Sequence, residues 1–185
     1  MKISFAINFL AITAISCQLS SRTISSVPVV PIDSLKITIT SLNLSEDVSG
    51  NDEILILCYL DRDTLTLNET LFQKRLNFPS KNSSRNFSVK LKEDISEKPL
   101  LLFVLEQDSD LPIQKIDSIL RISHLAIRKQ FNARNYTGIE QYLEDEDILG
   151  IKAISNLNCA QPYVVNFSGF YKLDKYDYSI QIKCF

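Results

Sequence analysis

The stretch Leu100–Asp117, LLLFVLEQDSDLPIQKID, decides how the rest of the chain is read. Leu100–Leu105 is an uninterrupted apolar run of strand length, and Pro99 sets it off from the preceding chain. A strand with no polar residue on either alternate set has no solvent face, so this run reads as buried on both sides. It passes directly into an acidic segment carrying Glu106, Asp108 and Asp110, with Asp117 farther on. A buried strand that delivers carboxylates to one end of a sheet can hold a hard cation. The same arrangement is also an ordinary way to end a strand in a solvated loop.

Glu53–Leu60, EILILCYL, is a second strand apolar enough to be buried on both faces. Around these two, Leu35–Thr40 alternates apolar and polar residues, as do Phe87–Leu91 and Asp177–Cys184, the period of a half-buried strand. Thr64–Leu67, Arg75–Phe78, Ile151–Ile154 and Tyr163–Phe167 are shorter strand candidates, and Pro79–Ser84 is loop. Between Asp117 and Gly150 the period changes. Ile122, Leu125, Ala126, Ile127 and Phe131 have helical spacing, with Arg128 and Lys129 outside, Ser123 as N-cap, and a second short helix over Gly138–Leu143. Helix and strand do not alternate, so the pattern does not support a βαβ repeat. The expected fold is mainly β: an antiparallel β-sandwich of seven or eight strands over residues 34–185, with a helical insertion at 118–150.

The stretch LKITITSLNLSEDVSGNDEILILCYL resembles the opening of the C-two domain, the calcium- and phospholipid-binding sandwich of synaptotagmin and protein kinase C. That opening is an alternating strand, an acidic loop, and an Asp followed by a buried strand. FVLEQDSDLPIQKID resembles the later strand that ends in two acids one residue apart with a third beyond. The resemblance implies calcium as the cofactor, with Asp47 and Asp52 from the first loop and Glu106, Asp108 and Asp117 from the second. Asp110 is an additional acid in that loop. Calcium takes 6–8 oxygens from carboxylates, carbonyls and water, so two acidic loops at one sandwich edge could supply it. Loops are polar in any case, and 22 acids in the chain will cluster somewhere. Glu144–Asp147 is a second acidic run, read as a solvated helix end.

Composition narrows the function. A formal net charge of -2 provides no basic surface, which argues against a nucleic-acid partner. Only 4 glycines are present and no phosphate-binding glycine loop occurs. His124 is the sole histidine, no Gly-x-Ser-x-Gly or Cys-x-x-Cys occurs, and the expectation is a protein that is not an enzyme. Of 4 cysteines, Cys58 sits in a buried strand, while Cys159 and Cys184 are candidates for a disulfide in an oxidising compartment.

The N-terminus points to export. Met1-Lys2 precedes an apolar run, Ile3–Ile15, and Ala14-Ile15-Ser16 fits a cleavage motif, so residues 1–16 read as a signal peptide. The next residue is Cys17, and Ala-Ile-Ser-Cys resembles a bacterial lipobox, which would make Cys17 the lipidated residue and 17–33 a Ser- and Pro-containing tether. The leading expectation is therefore a cell-envelope lipoprotein held to the membrane through a lipid anchor, with a protein or lipid partner. The alternative is a secreted eukaryotic glycoprotein carrying a calcium-dependent lipid- or protein-binding module. Six Asn-x-Ser/Thr sequons, at Asn43, Asn68, Asn82, Asn86, Asn135 and Asn166, favour the alternative.

Overall fold

The structure is a computed structural model and describes residues 31–43, 52–65, 70–96, 98–107, 111–144, 146–155, 157, 159–171 and 174–185. Cys17, Asp47, Asp108 and Asp110 lie outside the described residues, as does the 1–30 leader and tether. Among the described residues, eight strands form two antiparallel four-stranded sheets. The strands are β1 (Ser34–Asn43), β2 (Asp52–Leu60), β3 (Thr70–Phe78), β4 (Ser84–Lys90), β5 (Leu100–Glu106), β6 (Asp147–Ile154), β7 (Tyr163–Tyr171) and β8 (Asp174–Cys184). Two helices, α1 (Ile113–Asn132) and α2 (Tyr136–Leu143), fall between β5 and β6. The fold is the expected mainly-β sandwich with a helical insertion before the last strands.

One sheet runs β4-β1-β8-β7 and the other β3-β2-β5-β6. The second order explains the two apolar runs. β2 and β5 are the central strands of their sheet, and both of its faces are covered. On the inner face, Ile54, Ile56, Leu102 and Val104 pack against Ile37, Ile39, Tyr178 and Ile180 of the first sheet. On the other face, Leu55, Leu57, Leu101, Phe103 and Leu105 pack against Ile116, Leu120 and Ile127 of α1 and Ile139 and Leu143 of α2. A strand between two apolar layers must be apolar at every position, which is why no residue of LLLFVL is polar. Among the described residues no helix packs on the outer face of the first sheet, and its strands alternate: Lys36, Gln181 and Lys183 are exposed while Leu35, Ile37, Ile180 and Ile182 are buried.

The helical layer departs from its sequence reading in three places. α1 begins at Ile113, behind Pro112 at the N-cap, so Ser123 lies in mid-helix. Proline suits a helix start because its fixed φ is already helical and its missing N–H would have had no intrahelical partner. The buried face of α1 is Ile116, Leu120, His124 and Ile127, whereas Ile122 is 83% exposed and Leu125 50% exposed. The i, i+4 row that meets the sheet thus differs from the one expected. Asp147–Gly150 is strand, not helix end, because it pairs with β5. Of the expected Thr64–Leu67 strand, Thr64 and Leu65 are not in strand and 66–67 lie outside the described residues. No helix among the described residues is long and apolar enough to cross a membrane.

Candidate functional site

Side-chain parity and strand direction bring two of the expected acids together. β2 and β5 are antiparallel, with Ile54 opposite Glu106, so the start of β2 and the end of β5 meet at one end of the sandwich. Asp52 is two residues before Ile54 and therefore projects from the same face as Ile54 and Glu106, toward the interior. Asp52 is 0% exposed and Glu106 3% exposed. Just beyond them, the Gln107 N–H donates to the Glu53 carbonyl at 2.8 Å, tying the roots of the two acidic segments together.

The other sheet supplies a group to this end. Tyr178 of β8 reaches across the core, and its hydroxyl donates to Asp52 Oδ2. Its ring meets Phe78 edge-on at a centroid distance of 5.6 Å. The Tyr178 hydroxyl is held far above the ordinary tyrosine range, first by burial, then by its hydrogen bond to Asp52 and the negative charges of Asp52 and Glu106. Tyr178 was not among the residues expected at the site. In sequence it is simply one member of an alternating strand, and only the packing of two sheets places its hydroxyl on Asp52.

Two more acids join this end. Register places Asp147 opposite Glu106, and Glu146 beside it is 0% exposed. The solvated helix end expected at Glu144–Asp147 is thus corrected in part: Glu146 is interior, while Glu144 caps α2 and forms an exposed ion pair with Lys115 at 2.8 Å. Among the described residues, however, no three Asp, Glu, His or Cys side chains converge in a way that could hold a metal ion. Asp47, Asp108 and Asp110, the other acids expected at the site, lie outside the described residues.

Asp117 is elsewhere. It stands on α1, 7% exposed, on the opposite face of the β3-β2-β5-β6 sheet from Asp52. Its carboxylate accepts from the Tyr59 hydroxyl at 2.9 Å and from Arg121 Nε at 3.0 Å. Tyr59 is seven residues along β2 from Asp52, about 23 Å of extended strand at roughly 3.3 Å per residue. Asp117 therefore cannot share an ion with Asp52; it staples α1 to the sheet. The neighbouring contacts serve the same purpose: Arg128 pairs with Asp61 at 3.0 Å, and His124 Nε2 meets the Arg62 carbonyl at 3.0 Å. His124 is 2% exposed, so the lone imidazole is a packing group.

A second concavity was not visible in the sequence. A cleft of about 400 Å³ opens between the α1–α2 junction and the end of the β7–β8 hairpin, walled by Phe131, Tyr136 and Tyr176 with Arg134 and Ser168 at its polar side. The Tyr176 hydroxyl is pushed up to about 12 by burial and by its neighbour Tyr136. The walls come from segments about 40 residues apart in sequence, so no local pattern could have announced them.

The connection between β6 and β7 is fastened to the last strand by a disulfide, Cys159–Cys184. Cys58 is a free, fully buried thiol whose ionisation burial strongly disfavours. No family model matches the chain, and no curated protein matches it. A solved structure described as "Structure of a C2 domain" matches with a TM-score of 0.33 and 9% identity, covering 82% of this chain and 97% of that one. The chain thus bears a loose resemblance to a C2 domain.

Proposed function

We propose that the protein is an exported, non-enzymatic β-sandwich that works as a binding module, with the acidic end of the sandwich as its interaction edge. The observation that carries this reading is the bond between Gln107 N–H and the Glu53 carbonyl, which ties the start of β2, with Asp52, to the end of β5, with Glu106. Export is supported by the leader-like start of the chain and by the Cys159–Cys184 disulfide, a bond that persists in oxidising compartments. The burial of His124 against a backbone carbonyl supports a non-catalytic role, since the chain's one imidazole serves packing.

Calcium is the ligand this edge would take, because carboxylates are hard oxygen donors. The described carboxylates do not complete a calcium shell, and Asp52 is engaged by Tyr178. Binding would draw on Asp47, Asp108 and Asp110 together with Asp52 and Glu106. A ligand that binds only the folded form at 100 times its dissociation constant stabilises it by about 2.7 kcal/mol. Thermal melting of the full chain should therefore shift upward with calcium, and Asp108→Asn should abolish the shift. No shift at millimolar calcium, or an undiminished shift in the variant, would remove calcium from the reading. Attachment to the membrane through Cys17 is tested separately: palmitate labelling should be lost in Cys17→Ala, and an unlabelled parent protein removes the anchor.

A further inference from the structure

We propose that the chain carries N-linked glycans at Asn82, Asn86 and Asn166, and that these sugars guard the two edges of the β4-β1-β8-β7 sheet. The proposal rests on the reading of the protein as exported. It starts from where the sequons fall. Asn86 lies in β4 and Asn166 in β7, the two edge strands of one sheet. Both are exposed, and the register places both on the outer face of that sheet, Asn166 at the rim of a cleft it shares with Phe131 and Asn132 at the end of α1. The cross-strand rows on that face are Asn86–Thr38–Gln181–Val164 and Ser84–Thr40–Ser179–Asn166. Three strand spacings of about 4.8 Å separate the edges, about 14 Å in all. Two branched sugars rooted there would flank the face from both sides.

The acceptor geometry is consistent at each site. Residues i and i+2 of a strand share a face, so the sequon hydroxyls of Ser88 and Ser168 stand beside Asn86 and Asn166 and are exposed with them. Asn82 occupies the turn entering β4 with φ of 60°, a conformation asparagine accepts more readily than most residues. Its backbone N–H donates to the Ser41 carbonyl at 2.6 Å, which docks the turn and leaves the exposed carboxamide outward. Asn82, Asn86 and Asn166 make no side-chain hydrogen bond among the described residues. Asn135 differs. Its Oδ1 accepts from Gly138 N–H at 3.1 Å and its Nδ2 donates to Gln130 Oε1 at 2.8 Å, so its carboxamide is committed to capping α2.

The modification is a group transfer from a polyprenyl-diphosphate-linked oligosaccharide. Asn Nδ2 attacks the anomeric carbon, the C–O bond to the diphosphate breaks with its electron pair going to the diphosphate, and Nδ2 releases one proton. The product serves the fold. Edge strands present unpaired N–H and C=O groups that template pairing with another chain, and proteins blunt such edges with bulky or charged groups. A hydrated glycan on each edge strand is such a block.

The test uses protein purified from the cells that make it, treated with an amide-cleaving glycosidase in ¹⁸O-water and mapped by peptide mass spectrometry. ¹⁸O-labelled Asp is expected at 82, 86 and 166, with unmodified Asn at 135. Unmodified Asn at all three positions in a chain whose Cys159–Cys184 bond is closed overturns the glycans and leaves export standing. Unmodified Asn with both thiols free overturns both. The edge role is read by sedimentation velocity: removing the glycans, by Asn86→Gln with Asn166→Gln or by deglycosylating the folded parent, should produce self-association absent from the glycosylated protein. A deglycosylated protein that stays monomeric overturns the guarding role.

Discussion

The Tyr178 hydroxyl joins the two sheets at the acidic end, and its removal is the most direct probe of that end. Tyr178→Phe keeps the edge-on contact with Phe78 and deletes the bond to Asp52. A buried hydrogen-bonding group that loses its partner costs about 1–3 kcal/mol, so the urea midpoint should fall accordingly with an unchanged slope. The pH dependence has a definite sign. Burial and Asp52 raise the Tyr178 hydroxyl, and burial and Asp117 raise that of Tyr59, above the value in the unfolded chain, which is about 10. Above about pH 10 the unfolded chain has released protons that the native state retains, so stability falls as pH rises. Below that pH the contribution is fully present. Cys58, raised by burial, starts an earlier decline from about pH 8.5. Melting temperatures across the alkaline range should drop less steeply in Tyr178→Phe than in the parent. At this scale the sequence was informative about Asp52 and Glu106 as acids at strand ends, and silent about Tyr178. Its partner lies 126 residues away.

Gly150 shows how an element is shaped by its neighbour. A Cβ at this position in β6 would lie 1.8 Å from Cδ1 of Phe167 in β7. The absence of a side chain lets the Phe167 ring lie against the strand where the β5–β6 register shifts. Gly150→Ala should destabilise by about 1–3 kcal/mol through overpacking. Adding Phe167→Leu to it should cost less than the sum of the two single changes, a coupling that a double-mutant cycle in denaturant would measure. Equal additivity would mean that the ring and the glycine do not constrain each other. In sequence Gly150 reads as the end of a helical segment, because nothing local distinguishes a helix stop from a strand glycine beside an aromatic ring. Helix α1 teaches the same point. Apolar residues at Ile113, Ile116, Ile119, Leu120, Ile122, Leu125 and Ile127 form more than one stripe, and only the sheet selects Ile116, Leu120 and Ile127 for burial.

The molecule as a whole is three layers, held at one corner by a covalent link. Cys159 and Cys184 are separated by 25 residues, and closing such a loop restricts the unfolded chain. The chain-entropy estimate is about 3–4 kcal/mol. Cys159→Ser, or reduction of the parent, should lower the unfolding free energy by about that amount in guanidinium titrations. A stability indifferent to reductant would show that the link contributes little to the fold. Cys58, fully buried, should remain unmodified by alkylating reagents in the folded protein under both conditions.

The sequence by itself determined the class of fold, because burial on two faces or on one is written in the local alternation of each strand: LLLFVL and EILILCYL could only be central, and LKITIT could only be half-buried. It also placed acids at the entry to β2 and at the exit of β5. What only the tertiary structure decided is which of those acids meet. The antiparallel pairing of β2 with β5 puts Asp52 and Glu106 on one inner face, β8 brings Tyr178 to Asp52 from the other sheet, and β6 sets Asp147 opposite Glu106. Asp117, eleven residues beyond Glu106 in sequence, is carried by α1 to the opposite face and spent on Tyr59 and Arg121. Parity is a local property of a strand, but strand order and the layer above a sheet are set by contacts across the whole chain.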